Sequence, residues 1–202
     1  MQGKVPMSDP LFFGYGSLVN RQTHDYHQPR KARVRGWRRA WQATPLRALS
    51  YLTVVPAVDD YVEGLIAAVP GADWVALDER ERAYARLMDR DDGTHANGQE
   101  REVAIYAIPD PIRSAPTDEN PVLLSYIDVV VQGYLAEFGI DGALHFFETT
   151  DGWQAPVIND RAAPIYPRSQ VLSAEEQDFV DRELARLGVK MIEGQGQPKP
   201  DR

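Results

Sequence analysis

The 202-residue sequence has no cysteine. Disulfides, thiol nucleophiles and cysteine-ligated zinc are therefore excluded together. Positive charge is also scarce: 22 Lys and Arg stand against 30 Asp and Glu, for a formal net charge of -8. Nucleic-acid binding rests on neutralising phosphates with Lys and Arg, so this balance argues against that class of partner, and against an anionic membrane surface as well. No apolar run approaches the roughly 20 residues a membrane span needs. Met1 to Pro10 is polar and lacks the apolar centre of a secretory signal, so the expected location is cytoplasmic. There is no H-E-x-x-H motif and no internal repeat. His24 and His27, with Asp25 between them, are spaced poorly for ligation without a third partner. They read as solvated loop histidines, with no metal or cofactor expected.

What is present suits a soluble globular chain: 43% hydrophobic and 26% charged residues can supply a real core. One domain is expected over 11–188, between a polar N-terminal tail (1–10) and a Gly/Pro-rich disordered tail (189–202). The sequence leaves the oligomeric state open.

The chain is organised around Leu11-Phe12-Phe13-Gly14-Tyr15-Gly16-Ser17-Leu18. A short apolar run ended by glycine reads as a buried strand and a tight turn. Gly14 within the strand marks a bulge or a close approach. With Gly16 at φ > 0, the amides of Ser17, Leu18 and Val19 would point into one concavity, an anion-binding nest; an ordinary strand-turn is the alternative.

Lys31 to Ala43 reads as a strand with a bulge at Gly36. Its arginines either face solvent or an interface, or one of Arg35, Arg38 and Arg39 reaches an anionic ligand. Ser50–Pro56 and Tyr61–Pro70 read as two strands joined by a hairpin at Asp59-Asp60, with Gly64 marking a close backbone approach.

From Ala72 to Leu87 the period becomes helical, with Asp73 as cap. Trp74, Leu77, Tyr84 and Leu87 share a face, and Glu81 lies between Leu77 and Tyr84 on that inward stripe. Asp78, Glu79, Arg80 and Arg82 fall on the water side. A carboxylate on a packed face raises its pKa or finds donors, which is how a general acid/base is made. An edge position, or an internal ion pair with a strand arginine, explains Glu81 equally well at this point.

Asp89–Asn97 reads as a charged loop, Glu102–Ile108 as a strand and Pro109–Asn120 as a connector. Asn120-Pro121 has the form of a cap and first-turn proline opening a core helix that ends at Gly139. His145–Glu148 reads as a helical turn in which His145 is structural. The rest of 141–168 is an ordered loop, placing Asn159-Asp160-Arg161 and Tyr166-Pro167-Arg168 either over a pocket or around the core. Ser173 and Glu176 form a capping box for a helix stopped by Gly188.

Tyr15-Gly16-Ser17-Leu18 after a first strand, Gly64 in a later strand, and Leu77-Asp78-Glu79-Arg80-Glu81 opening a helix together resemble the gamma-glutamylcyclotransferase-like superfamily. The form Phe13-Gly14-Tyr15-Gly16-Ser17-Leu18, and Arg80-Glu81 with Tyr84 after it, are closest to its ChaC-type branch. The resemblance covers residues 11–108. It implies an α+β fold, a small mixed β-barrel flanked by helices, to which 109–188 adds a helical C-terminal extension. It implies that Tyr15, Gly16, Ser17 and Leu18, with Tyr84, bind a small gamma-glutamyl substrate by its α-carboxylate and α-amino end, and that Glu81 is the acid/base. Closing a gamma-glutamyl amide to 5-oxoproline needs neither nucleophilic residue nor metal, because the substrate supplies its own attacking amine. One carboxylate of raised pKa can take and return the proton, and turn amides can receive the oxyanion. Two other expectations stand beside this one: a non-catalytic small-anion-binding or interaction module on the same scaffold, and a gamma-glutamyl-removing activity on a larger amine-bearing substrate.

Overall fold

Runs of β-branched and aromatic residues build five main strands. The computed structural model of the chain describes residues 9–193. The strands are β1 (Leu11–Gly14), β2 (Arg30–Gln42), β3 (Tyr51–Ala68), β4 (Ala85–Asp91) and β5 (Arg101–Ala107). They pair in the order β3-β1-β5-β4-β2, and β2 pairs again with β3, which closes a barrel. Only β1–β5 is parallel within it, so the barrel is mixed. Inward side chains such as Phe13, Val34, Trp41, Val54, Ile66 and Ile105 fill it and are almost fully buried.

The hairpin expected at Asp59-Asp60 does not form. β3 is one strand that runs past both aspartates and pairs with β2 along its length. Arg35 pairs with Tyr61 but Trp37 pairs with Pro56, so residues 57–60 bulge out opposite Gly36. A bulge absorbs turn-forming residues without reversing the chain. The bulge expected at Gly36 is therefore real, and its counterpart lies in the stretch read as a turn. At Gly64 an added Cβ would lie 2.2 Å from the Gly14 carbonyl oxygen, the close backbone approach its position suggested.

The helix expected over 72–87 is cut short. Only Val75–Arg80 (α1) is helical; the chain then turns and enters β4, which pairs antiparallel with β5. Asp73 is not the N-cap expected of it: Trp74 takes that position without a side-chain bond, and Asp73, one residue earlier, accepts from the Val75 amide at 3.1 Å. Trp74, Leu77 and Tyr84 still gather on one cluster with Phe12 and Tyr106, but Leu87 leaves it for an exposed site on β4. The apolar spacing came from separate elements packed on one surface rather than from one helix. Asp89 to Asp91, read as loop, are the end of β4.

The second helix, α2 (Leu124–Glu148), starts later than Asn120-Pro121 predicts, because Val122–Leu123 (β6) pairs first with β8 (Val157–Asn159). Leu123 at its N-cap offers no side-chain acceptor. Asp160, arriving from the far side of β8, accepts from the Ser125 amide at 2.8 Å instead. Within α2 the helix does break at Gly139, as expected, since its φ of 69 and ψ of -168 are not helical; a second helical stretch follows directly and carries the expected His145–Glu148 turn. β7 (Thr150–Asp151) adds to the edge of β2. α3 (Ala174–Arg186) has both halves of the capping box. Met191–Glu193 (β9) pairs with β8, so this part of the expected C-terminal tail is strand. The rest of that tail, and residues 1–8 of the N-terminal one, lie outside the described residues. Among the described residues no helix is long and apolar enough to cross a membrane.

Candidate active site

The turn after β1 brings the chain out of the barrel at its mouth. Tyr15 points inward and its hydroxyl donates to the Tyr106 carbonyl at 2.5 Å, so it is not turned toward a ligand. Gly16 has φ -113 and ψ -128, not the positive φ expected. Glycine is required there for another reason: an added Cβ would lie 2.6 Å from the Tyr126 hydroxyl oxygen. Ser17–Val19 forms a single 3₁₀ turn in which the Val19 amide donates to the Gly16 carbonyl at 2.9 Å. Val19 therefore contributes nothing to an amide nest, and the Ser17 amide faces the Tyr126 hydroxyl. Leu18 packs on the Phe12–Leu77 cluster.

Glu81 sits where α1 ends. Its amide closes the last turn on Leu77 at 2.9 Å, and Tyr84 follows within the next turn, its amide bonded to the Glu81 carbonyl at 2.8 Å. The inward position comes from the helix end and not from a continuing stripe. The Glu81 side chain is only 18% exposed, and its Oε1 lies 3.3 Å from Arg80 Nε. Burial pushes the Glu81 carboxyl above its ordinary pKa, while the nearby Arg80 and Arg168 cations pull it back down. Arg80, placed in water by the helical reading, is itself largely buried beside Glu81.

Ser17, Glu81, Tyr84, Tyr126, Tyr166 and Arg168 line one cavity of about 560 Å³. Tyr84 donates its hydroxyl to the Leu52 carbonyl at 3.0 Å. Burial holds the Tyr84 and Tyr126 hydroxyls well above the usual phenol pKa, so both remain protonated donors. Of the residues expected to bind substrate, Ser17 and Tyr84 form the cavity wall with Glu81, whereas Tyr15, Gly16 and Leu18 support it from behind.

The far wall comes from the ordered loop after β8. Asp160 is buried and holds the loop by accepting from the Ile165 amide at 2.9 Å. Tyr166 then meets Tyr126 edge-on, ring centres 4.9 Å apart. Both sequence alternatives for this loop are realised in turn. Arg161 ties down the core through Asp128 at 2.7 Å, while Tyr166 and Arg168 face the cavity.

The strand arginines take no part. Arg33 and Arg35 pair with Asp92, and Arg38 with Asp60 and Asp151. Arg39 is fully buried between the rings of Tyr134 and Phe146, with hydrogen bonds to Thr149 and Thr150 hydroxyls. His24 is engaged with backbone on both sides, through the Leu18 carbonyl and the Tyr26 amide. His145 stacks on Tyr61 at 5.0 Å. Among the described residues no three His, Asp or Glu side chains gather to hold a metal ion.

A family model for gamma-glutamyl cyclotransferase, AIG2-like, matches residues 12–125. A solved structure of a gamma-glutamyl cyclotransferase superposes with a TM-score of 0.56 at 15% identity, over 86% of this chain and 99% of that one. The human protein loc79017 gives 0.58 at 15% identity, over 87% and 99% of the two chains. YkqA of Bacillus subtilis gives 0.51 at 16%, over 72% of this chain and 57% of that one. No curated protein matches the sequence. At such identities the structures speak for the fold alone, a closed mixed barrel with flanking helices. The family match spans more than half of the chain and takes in both the turn at Ser17 and Glu81, and by it the chain belongs to the gamma-glutamyl cyclotransferase, AIG2-like family.

Proposed function

We propose that the protein cyclises a gamma-glutamyl amide to 5-oxoproline and releases an amine or amino acid, with Glu81 as general acid/base. The observation that supports this most is Glu81 itself. Among the described residues it is the only acid on the cavity wall, it is mostly buried, and its carboxyl is held above the ordinary range. That is the condition a proton-transfer group needs near neutral pH.

The chemistry then balances without water or co-reactant. The substrate's α-amine attacks its γ-carbonyl carbon; the new C–N bond closes a five-membered ring as Glu81 takes the amine proton. The bond to the leaving nitrogen breaks as Glu81 returns that proton to it. Ring closure within one molecule already supplies the proximity. The developing oxyanion needs a donor. The Tyr126 hydroxyl, which receives the Ser17 amide and keeps its own proton, can pass that polarisation into the cavity.

A non-catalytic anion-binding module is the second reading, favoured by the Arg80–Glu81 ion pair that satisfies the carboxylate without a ligand. Incubation with gamma-glutamylalanine, gamma-glutamylethylamine and glutathione, read as 5-oxoproline by chromatography, separates the two. Release is expected with at least one of them, and Glu81→Gln should lower it at least about a hundredfold while leaving the fold intact. No release from any of the three, with a ligand-induced rise in melting temperature, overturns the enzyme in favour of the module. Full activity in Glu81→Gln overturns the assignment of the acid.

A further inference from the structure

In a chain of net charge -8, the cavity wall carries Arg47, Arg80, Arg82 and Arg168 against the single acid Glu81. Arg82 has Glu79 as its partner and Arg47 is engaged with the Tyr51 hydroxyl, so Arg80 and Arg168 are the two whose presence a catalytic acid alone does not explain. Arg80 places Nε 3.3 Å from Glu81 and reaches the Thr23 carbonyl only at 3.5 Å through Nη1. Its Nη2 is buried and has no hydrogen-bond partner. A buried guanidinium nitrogen left unpartnered is costly, and a bound carboxylate is the partner whose planar fork matches it.

Arg168 stands across from it on the loop after β8. Among the described residues its guanidinium makes no hydrogen bond and no ion pair, although its backbone carbonyl accepts from Gln170 Nε2 at 3.2 Å, and the cation acts on Glu81 and Tyr26 only through space. The two arginines also divide space. A second hollow of about 490 Å³, lined by His24, Asp25, Tyr26 and His27, shares only Arg80 and Arg168 with the first. The two hollows therefore adjoin at these two arginines.

The position fixes which half of the substrate they meet. The leaving nitrogen must lie at Glu81 to receive its proton, and Arg80 touches Glu81. In an amino acid or peptide leaving group, the carboxylate or the next peptide unit is joined to that nitrogen through one carbon, which puts it within reach of the adjoining guanidinium. We infer that Arg168, with Arg80 behind it, is a carboxylate-binding pair that makes the site prefer gamma-glutamyl amino acids and acidic-ended peptides over gamma-glutamyl amines, with the second hollow taking the leaving group's side chain. This selectivity rests on the cyclising function proposed above.

The test uses binding, so that it does not depend on turnover. In full-length Glu81→Gln protein, calorimetry measures the affinity for gamma-glutamylalanine and for gamma-glutamylethylamine, which lacks only the carboxylate. Adding Arg168→Gln, an exposed substitution, should raise the Kd of the first relative to the second by at least about tenfold, the scale of one charge-assisted hydrogen bond. Arg168→Lys should restore part of that ratio. If both ligands weaken alike, the arginine holds the glutamyl half's own carboxylate and the inference fails. If neither weakens, or neither ligand binds at all, it fails as well. Loss of 5-oxoproline release by the unsubstituted protein, with the binding ratio intact, would strike the enzymatic reading alone.

Discussion

Asp160→Ala should separate the loop's anchor from its chemistry. Asp160 is 5% exposed and accepts from the Ser125 amide at 2.8 Å, the Ser125 hydroxyl at 2.5 Å and the Ile165 amide at 2.9 Å. Two losses add up. Removing the acceptor at the start of α2, where Leu123 supplies none, costs about 1 kcal/mol, as for other N-caps. Leaving the Ile165 amide partly buried without a partner costs about 1–3 kcal/mol more. The Ser125 hydroxyl can rotate and adds little. The sum is about 2–4 kcal/mol, and at roughly 2–4 °C per kcal/mol for a chain of this size the melting temperature should fall by roughly 5–15 °C. Asp160→Asn keeps one acceptor but sets an amide donor against one of its three donors, so it should lose about half as much. Scanning calorimetry at neutral pH reads both. The affinity for gamma-glutamylalanine should also fall, because Tyr166 and Arg168 ride on the loop that Asp160 holds. A melting temperature within about 1 °C of the parent in both variants would refute the reasoning, since no acceptor would then have been lost.

Gly16→Ala forces its Cβ against the Tyr126 hydroxyl oxygen, 2.6 Å away, and should lower kcat/KM by about tenfold or more through displacement of the ring. Adding Tyr126→Phe removes the clash and should recover melting temperature but not 5-oxoproline release. Because burial raises the Glu81 carboxyl, the ascending limb of kcat/KM should lie above the pH of about 4.3 where a free glutamate titrates. Arg80→Gln removes a cation that favours the carboxylate and should move that limb higher still; a downward move in the pH-rate profile would contradict the assignment. The same burial favours the neutral carboxyl in the folded state, so Glu81 subtracts stability as pH rises from its unfolded pKa through its folded one. Glu81→Gln should therefore melt higher than the parent at neutral pH and match it below the ordinary glutamate range. Arg39→Met strips hydrogen bonds from the Thr149 and Thr150 hydroxyls and the His145 carbonyl, and should cost at least about 2 kcal/mol in urea denaturation.

The strands were legible where local pattern and pairing agreed. Leu11–Gly14, the bulged strand at Gly36 and Arg101–Ala107 all carry apolar alternation or short buried runs that pairing only confirms. Where the two conflicted, pairing won. Asp59-Asp60 has turn chemistry, yet the long ladder with β2 carries the chain straight on and expels 57–60 as a bulge. Ala72–Leu87 has a helical period, yet β5 claims everything after Tyr84. At the site, Ser17, Glu81 and Tyr84 were visible because each sits in or beside a short recognisable stretch. Tyr126 was hidden in the apolar face of a core helix and Arg80 among charges that read as solvated, while Arg168 lay in an ordered loop that could cover a pocket or wrap the core. What ties the three together is tertiary: segments more than 40 residues apart meet at one cavity, and local pattern does not say which segments meet.

The bend at Gly36 and the stretch expelled opposite it place two neighbouring acids, Asp59 and Asp60, at the outside of the barrel, while the cavity opens elsewhere. Insertions beside the exposed Val58 would lengthen that expelled stretch on the far side of Asp60, which Arg38 holds to the neighbouring strand, without disturbing the register on either side. A fused peptide or a fluorescent label could be carried there on an otherwise unaltered molecule, giving a handle for following ligand uptake from a distance.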